Sequence, residues 1–389
     1  MQEFIVKTTV SSSKKKLCVE WCDGTVSEFA AVWLRDNCPD PRTTHPTSFG
    51  RLLLMSDLDT EITIGSASVE RSSMKITWPD NHTSTFPTQW LRARTWSPPP
   101  PRPPGQVLWG AGYDLSRHQY HHLLADDAAL LAWLEDLAVS GLTIVENTPC
   151  NTESMKDLQS RIGSAKTTHF GQFWNVKTKA DAMNLAYTSA TLGLHLDLPF
   201  YSYTPGVQFL QCIKQYTGTG GDNHFTDAFA VAEKMRKEFL AEFKLLSETG
   251  VHFWDAGVLD TDEDTEKSGK FHKRNTMPTF LLDSHGKVKQ VAFNNQVRSS
   301  QPSGDANLTL ALYRALKIFN NLCYSEEFLV KYKLKEGDIA VFDNMRVMHG
   351  REGFTVREGE DGSRHLYGCY IDWDEINDRR NVLNNVDWI

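Results

Sequence analysis

The 389-residue sequence lacks any apolar run of the about 18 residues that a membrane span requires. Its first twenty residues also lack the apolar core of a secretion signal and the arginines of a transit peptide. The sequence also lacks an excess of basic side chains, since 41 Lys and Arg are outnumbered by 49 Asp and Glu, which gives a formal net charge of −8. These absences argue against membrane and nucleic-acid partners and predict a cytoplasmic protein.

Several other common signals are missing as well. The seven cysteines are scattered along the chain without a CxxC pair, as is typical of reduced thiols. No GxGxxG or Walker motif opens a predicted helix, which disfavours a doubly wound nucleotide-binding fold. No internal repeat is apparent. Disulfides, bound nucleotides and a repeat architecture are therefore not expected.

The segments that are present indicate two domains. Residues 1–96 alternate short β-type runs with turn sequences such as DG and PDNH, and so predict a small β-rich N-terminal domain. Residues 97–106, SPPPPRPPGQ, are too rich in proline for a helix or a paired strand and predict an extended linker, although a proline-binding partner is an alternative. Residues 107–389 would form the second, larger domain.

The larger region combines many short β-type runs with few helices. Helical spacing predicts helices over 126–141, about 230–250 and about 308–322. Apolar runs such as GVQFLQCI and IAVF predict buried strands. This mixture favours a closed or double-sheet β architecture, for which a jelly roll is the natural candidate.

A His-x-Asp triplet, His195 and Asp197, is the first candidate metal motif. The composition is expected to contain roughly one such triplet by chance, so a hydrogen-bonded core pair is the plain alternative. On a strand the two side chains would point to the same side. His349, after a buried-strand pattern, offers a third ligand, and Arg364 follows it by fifteen residues. Two histidines and one carboxylate leave positions on Fe(II) for oxygen and an organic cosubstrate.

This order of His-x-Asp, His and Arg is similar to that of the iron and 2-oxoglutarate-dependent dioxygenases. Longer motifs extend the comparison over nearly the full length: AVWLRDNC (31–38), ITWPDNH (76–82), HLDLPFYSYTPGVQFLQCIKQ (195–215), TGTGGDNHFTDAF (217–229), FNNQVR (293–298), FDNMRVMHGR (342–351) and SRHLYGCYIDWD (363–374). Together these motifs resemble the gamma-butyrobetaine hydroxylases. The resemblance implies a mainly β fold with flanking helices, in which a TauD-like double-stranded β-helix follows a small β-rich domain.

The resemblance implies the cofactors and the residues that hold them. Fe(II) would be bound by the His195, Asp197 and His349 side chains, with O2 as co-reactant and ascorbate as reductant. The planar Arg364 guanidinium would pair with the distal carboxylate of 2-oxoglutarate. Leu210 and Asn223 would also lie near this cosubstrate; related enzymes often carry Ser or Thr where this chain has Asn223.

The resemblance further implies a small-molecule substrate with a trimethylammonium group, which aromatic faces attract. The implied cage has Phe170 where related hydroxylases often have tyrosine; on composition alone such aromatics would be core fillers. The amides of Asn184 and Asn294 would hold the substrate carboxylate. Arg298 would favour a phosphonate if it faced the pocket and would otherwise form a structural salt bridge. The implied cage residues are Phe170, Trp174, Tyr187 and Tyr370.

Related N-terminal domains usually hold zinc with three closely spaced cysteines and a distant histidine. Cys38 and His82 remain here, whereas Asp40 and Thr43 stand at the other two cysteine positions. Asp40 or His45 would have to complete a weaker site. With two thiolates missing, we expect this degenerate site not to hold zinc.

The function implied is hydroxylation of gamma-butyrobetaine to L-carnitine by a homodimer, with release of succinate and CO2. One alternative is the same chemistry on another betaine, either a trimethylaminoalkyl phosphonate or trimethyllysine. A taurine or alkylsulfonate dioxygenase would have no use for the aromatic cage. From a different class, the chain would be a non-catalytic betaine-binding protein, which the intact metal motif disfavours.

Overall fold

The structure, a computed structural model, describes residues 4–70, 72–96, 105–177, 189–258, 270–356 and 363–384. These residues form two units, a smaller one before the proline-rich segment and a larger one after it. Most of the predicted linker over 97–106 lies outside the described residues, so its boundaries stay a prediction. Among the described helices, none is both long enough and apolar enough to cross a bilayer.

The smaller unit consists of two three-stranded antiparallel meanders, each followed by a short helix. Strand alternation buries one face of each meander, and both faces contribute to a single core that includes Trp21 and Trp78. The first meander is β1 (Ile5–Val10), β2 (Lys16–Trp21) and β3 (Val26–Ala30), followed by α1 (Ala31–Asp36). The second is β4 (Ser66–Glu70), β5 (Ser73–Thr77) and β6 (Thr83–Pro87), followed by α2 (Thr88–Ala93), and a 3-10 turn at Met55–Asp57 lies between them.

These two meanders repeat each other at an offset of 57 residues. The indole N–H of Trp21 donates to the hydroxyl of Ser27 at 2.7 Å, and Trp78 donates to Ser84 at 2.8 Å. Both halves share the pattern W-x5-S-x-F-x3-W-L-R. The expectation that the sequence contains no repeat is therefore wrong. Divergence between the remaining positions hides the pattern until the two hairpins are compared in space.

Reciprocal ion pairs join the two halves. Arg35 of α1 donates to Asp80 in the second half, and Arg92 of α2 donates to Asp23 in the first half. Each guanidinium also lies over a tryptophan of the opposite half, at 5.7 Å and 5.1 Å from the ring centroids. Ion pairs that are open to solvent contribute only about 0–1 kcal/mol each, so these two pairs add little to the stability of the fold.

The larger unit is built around a six-stranded and a four-stranded sheet whose side chains pack in a shared core. The six-stranded sheet has the order β7 (Ser116–Gln119), β8 (Leu142–Glu146), β19 (Ile339–Asp343), β11 (Val207–Lys214), β22 (His365–Ile371) and β9 (Phe173–Lys177). The four-stranded sheet has the order β10 (Leu192–His195), β20 (Val347–Arg351), β13 (Asn223–Asp227) and β18 (Val330–Tyr332). Two-stranded pairs are β12 (Gly218–Gly220) with β21 (Phe354–Val356), β14 (Gly250–Val258) with β15 (Lys270–Pro278), and β16 (Phe280–Leu282) with β17 (Val288–Val291). The predicted double-sheet β architecture is thus confirmed.

The helices surround these sheets. The helix predicted over 126–141 is α4 (Asp127–Ser140), which begins where the Asp126 carboxylate accepts the Ala128 N–H and ends before Gly141, whose φ is +75°. The helix predicted over 230–250 is divided at Phe239, and this break carries no proline or glycine that would have revealed it. The helix predicted over about 308–322 corresponds to α8 (Ala306–Cys323). The helices are α3 (Tyr120–Ala125), α4 (Asp127–Ser140), α5 (Glu153–Ser160), α6 (Ala228–Glu238), α7 (Leu240–Glu248), α8 (Ala306–Cys323) and α9 (Trp373–Leu383).

Candidate active site

The three predicted metal ligands converge on the four-stranded sheet. His195 at the end of β10 lies opposite His349 of β20, and their ring centroids are 4.3 Å apart. Oδ1 of Asp197 is 3.2 Å from Nε2 of His195 and 3.8 Å from Nε2 of His349. Asp197 lies two residues beyond the end of β10, in the irregular segment that follows the strand. The expectation that one strand carries both His195 and Asp197 is therefore wrong. The candidate ligand atoms all lie within 4.8 Å of one another, which allows them to share one ion.

Groups outside the triad fix the orientation of Asp197. Its backbone N–H donates to Oδ1 of Asn344 at 2.7 Å, and the Asn344 amide donates back to the Asp197 carbonyl at 3.0 Å. The Tyr370 hydroxyl donates to Oδ2 of Asp197 at 2.7 Å. One carboxylate oxygen is therefore occupied by tyrosine, and the other is turned towards the two histidines.

The protonation of the triad suits a divalent cation. Nδ1 of His195 donates to the Gly193 carbonyl at 2.8 Å, which leaves Nε2 as the nitrogen that faces Asp197. Burial, helped by the neighbouring His195, lowers the pKa of His349 to about 3. Burial also opposes ionisation of Asp197, but its contacts with His349 and His195 and the hydrogen bond from Tyr370 hold the pKa of this carboxyl below its usual range. Burial likewise opposes protonation of His195, yet the hydrogen bond and the charge of Asp197 raise the pKa of this imidazole. A divalent cation would replace the proton on Nε2 of His195 and so complete a ligand set of one carboxylate and two imidazoles.

A cavity of about 130 Å³ adjoins the triad and is also lined by Arg364. Arg364 is 6% exposed, and its Nε has no hydrogen-bond partner within the described residues. Burial, and then repulsion from the nearby Arg351, lowers the pKa of this guanidinium to about 10. A buried guanidinium that lacks some of its hydrogen-bond partners is stabilised by an anion, and its planar arrangement of N–H groups matches the two oxygens of a carboxylate.

Leu210 and Asn223, the other residues predicted to lie near the cosubstrate, line the same cavity. Leu210 is on β11 of the six-stranded sheet. Asn223 begins β13, and its amide nitrogen donates to the Tyr332 carbonyl at 3.1 Å. That contact uses one of the two amide N–H groups, so Asn223 retains donor capacity.

Three of the four predicted cage residues, Phe170, Trp174 and Tyr370, line this cavity too. The ring centroids of Trp174 and Tyr370 are 5.4 Å apart. The Trp174 indole lies against Gly368, where any Cβ would overlap the ring. The fourth cage residue, Tyr187, lies outside the described residues.

The residues predicted to bind the substrate anion are not all brought together. Asn294 lines the cavity, where its Oδ1 accepts the Gln296 N–H and its Nδ2 donates to the Leu196 carbonyl at 3.3 Å. Arg298 is not among the lining residues; it donates to Asn295 and lies 4.5 Å over the Tyr313 ring. Among the described residues it forms no ion pair, and both roles considered for Arg298 stay predictions. Asn184 lies outside the described residues.

Comparison with known proteins places this geometry in a family. Residues 100–370 match the family described as taurine catabolism dioxygenase TauD, TfdA family. The chain belongs to this dioxygenase family. Residues 8–95 of the dioxygenase match a second family, described as gamma-butyrobetaine hydroxylase-like, N-terminal. The predicted fold class, a small β-rich domain before a TauD-like double-stranded β-helix, is confirmed.

Curated relatives extend over nearly the whole dioxygenase. It is 35% identical to gamma-butyrobetaine dioxygenase from Homo sapiens, with 93% of each chain covered. It is 32% identical to gamma-butyrobetaine dioxygenase from Pseudomonas sp. (strain AK-1), with 96% of this chain and 95% of the relative covered. Identity to trimethyllysine dioxygenase from Meyerozyma guilliermondii is 26%, with 99% and 97% covered. The resemblance to gamma-butyrobetaine hydroxylases is therefore confirmed.

Membership of the TauD family implies Fe(II) and 2-oxoglutarate, and the residues present fit both groups. The triad of His195, Asp197 and His349 would hold the metal, and Arg364 would hold the distal carboxylate of the cosubstrate. When bound together, these two groups supply the activation of O2 and the electrons for hydroxylation. The chain's own residues supply the buried ligand set, the orientation of Asp197 and the shape of the cavity.

The degenerate zinc site has a different organisation. Sγ of Cys38 lies 3.3 Å from Nε2 of His82. Arg42 donates to Nδ1 of His82 at 3.1 Å and to both carboxylate oxygens of Asp40 at 2.9 Å. The Thr43 hydroxyl donates to the Cys38 carbonyl at 2.9 Å, and His45 accepts N–H groups of its own loop. Asp40 is thus already paired, and a closed four-ligand zinc site does not fit the residues present.

The lining residues that the sequence did not single out include three with polar or charged side chains, Gln208, Asp255 and Arg351, which are discussed in turn. Arg351 follows His349 by two positions on β20, so strand alternation alone would have placed both on one face. Gln208 lies two positions before Leu210 on β11, and its Oε1 is buried without a partner in the described structure. No sequence signal distinguishes Asp255, which is on a hairpin remote from the motifs.

Proposed function

We propose that this dioxygenase hydroxylates gamma-butyrobetaine to L-carnitine with release of succinate and CO2. The observation that carries the proposal is that Phe170, Trp174 and Tyr370 line the cavity that adjoins the metal triad. A trimethylammonium group cannot donate a hydrogen bond, so a protein recognises it with aromatic faces, each contributing roughly 0.5–2 kcal/mol. The names of the relatives at 35% and 32% identity support the same substrate.

Tyr370 would serve both halves of the site. Its ring belongs to the proposed cage, while its hydroxyl orients the metal-binding carboxylate of Asp197. The distance between the head group and the metal is therefore governed by one rigid side chain. Such coupling suits a reaction in which a misplacement of about 1 Å can cost about a hundredfold in rate.

The opposite end of the substrate would be bound by amides. Asn294 keeps one N–H free after its contact with the Leu196 carbonyl, and we propose that Asn184 supplies a second donor. The position of Arg298 gives no support for a phosphonate substrate. Trimethyllysine is the second candidate, because it has the same head group and a relative at 26% identity is named for it.

The decisive experiment measures succinate and product mass for the purified enzyme with Fe(II), 2-oxoglutarate and ascorbate, which we propose as the external reductant. The panel contains gamma-butyrobetaine, trimethyllysine, a trimethylaminoethyl phosphonate and taurine. We expect the mass to rise by one oxygen atom on gamma-butyrobetaine, and Asp197→Ala to abolish that gain while the protein stays folded. Turnover of another panel member alone would refute the substrate. Sedimentation of the enzyme and fractionation of cells test the proposed homodimer and cytoplasmic location.

A further inference from the structure

Asp255 is a cavity-lining carboxylate without a role in the scheme above. It lies on β14, which pairs with β15 in a hairpin. The N–H of the preceding residue, Trp254, donates to the Val297 carbonyl at 2.9 Å. This bond ties the hairpin to the segment that carries Asn294, and Asp255 and Val297 line the cavity together with Phe170.

No described side chain neutralises the Asp255 carboxylate. The only ion-pair contact it makes in the described structure is with His169, whose Nε2 is 3.9 Å from Oδ2. Burial lowers the pKa of His169 to about 4, so this imidazole is neutral at neutral pH. Lys273, directly opposite Asp255 in the hairpin, places its Nζ 4.7 Å over the Tyr201 ring instead. Burial also raises the pKa of Asp255, as expected for a carboxylate that lacks a cation.

His169 connects Asp255 to the aromatic cage. The His169 side chain is 3% exposed, and its Nε2, which faces Asp255, has no hydrogen-bond partner within the described residues. Its Nδ1 and backbone N–H are both taken by the Tyr201 hydroxyl, at 2.8 Å and 2.9 Å. The ring centroid of His169 is 3.9 Å from that of Phe170. A single neutral imidazole therefore separates the Asp255 carboxylate from a face of the cage.

The other charged side chains that line the cavity already have tasks. Asp197 belongs to the metal triad, while Arg351 and Arg364 offer positive charge for an anionic cosubstrate. Asp255 is thus the lining carboxylate left over once Fe(II) and 2-oxoglutarate are accounted for. A ligand that also carries a positive charge would balance it.

We propose that Asp255 is a specificity-determining residue whose carboxylate selects a positively charged head group over a neutral group of the same shape. Aromatic rings also bind neutral apolar groups, so a cage without a nearby anion discriminates charge only through its quadrupoles. A partly desolvated carboxylate adds a direct Coulomb attraction for the cation. This inference rests on the proposed function, because it requires that the substrate carry a quaternary ammonium group.

The test compares gamma-butyrobetaine with 5,5-dimethylhexanoate, in which a neutral tert-butyl group replaces the trimethylammonium group. Asp255→Asn removes the charge at constant size, and Asp255→Glu keeps it. Glu248→Gln on the exposed end of α7 is the matched charge control. We expect Asp255→Asn to raise KM for gamma-butyrobetaine about tenfold, a value between those of exposed and buried pairs. The KM values for the isostere and for 2-oxoglutarate should change less than about twofold, and Asp255→Glu should recover part of the loss.

Equal changes in KM for both ligands, or no change for either, would overturn the role of Asp255 even if the betaine is hydroxylated. The proposed function fails separately if the wild-type enzyme hydroxylates no quaternary ammonium compound. Calorimetric binding of tetramethylammonium then decides the role of Asp255. Weaker binding to Asp255→Asn than to wild type supports the inference, and equal or absent binding in both refutes it.

Discussion

Replacing Tyr370 by phenylalanine separates its two proposed tasks. The substitution keeps the aromatic face but removes the 2.7 Å hydrogen bond to Oδ2 of Asp197. Hydrogen bonds to charged groups contribute about 1.5–3 kcal/mol, and groups that orient metal ligands typically alter metal affinity by about 10–100-fold. We therefore expect metal affinity to fall by about tenfold or more in Tyr370→Phe. The KM for the betaine should change less than about twofold, because the ring remains.

Isothermal titration of the apoenzyme with Mn(II) or Fe(II) under anaerobic conditions measures the first quantity, and steady-state kinetics at saturating metal measures the second. Tyr367→Phe is the matched control, since Tyr367 lies on the same strand but packs in a different core cluster, away from the triad. Metal affinity that is unchanged in Tyr370→Phe would refute the orienting role of the hydroxyl. A larger effect on the betaine KM than on metal affinity would do so as well.

Three further predictions concern buried positions of the larger unit, two measured by stability and one by the KM for the betaine. Burial raises the pKa of Asp343 to about 6, so its protonated form stabilises the fold at low pH and this stability is lost as the pH rises through about 6. At pH 8, Asp343→Asn should raise the free energy of unfolding by as much as about 3 kcal/mol, and the dependence of that free energy on pH between about 4 and 6 should become flatter. Denaturant titrations that show the same pH dependence in the variant and in the wild type would contradict this prediction. Arg346→Met leaves the fully buried Asp227 carboxylate without its ion-pair partner and should lower the free energy of unfolding by about 3–5 kcal/mol. Adding Asp227→Asn should restore part of that stability, whereas a loss below about 1 kcal/mol in Arg346→Met would argue against the ion pair. Gly368→Ala should displace the Trp174 indole and raise the betaine KM at least several-fold, and an unaltered KM would show that the ring has room to move.

The sequence predicted the parts of the fold that depend on local patterns. The α4 helix carries its own start signal at Asp126 and its own stop signal at Gly141, so its bounds were predictable. The break at Phe239 depends on packing between α6 and α7, and no local residue announces it. The repeat in the smaller unit was missed because only a few tryptophan, serine, phenylalanine, leucine and arginine positions preserve it.

The same distinction applies to the site. The spacing of His195 and Asp197 and the motif around His349 could be read from the chain, and family resemblance added Arg364 and the aromatic residues. The contact between Tyr370 and Asp197 joins residues far apart in sequence, so spacing could not reveal it. The position of Asp255 depends on how its hairpin docks on the segment around Val297, which likewise leaves no trace in the local sequence.

Because the smaller unit contains two similar halves, the corner that holds Cys38 and His82 can be compared with the equivalent corner of the other half. At the repeat offset, Cys38 corresponds to Thr95 and His82 corresponds to Thr25. In the equivalent corner the contacts are made by hydroxyl groups. The Thr95 hydroxyl is hydrogen-bonded to the Ser27 hydroxyl at 3.0 Å, and the Thr25 hydroxyl accepts a hydrogen bond from Arg92 at 2.7 Å. One chain therefore builds the same corner twice, once with a thiol and an imidazole and once with two threonines. In the second version the corner closes with hydroxyl groups at both positions, so neither a thiol nor an imidazole is needed there.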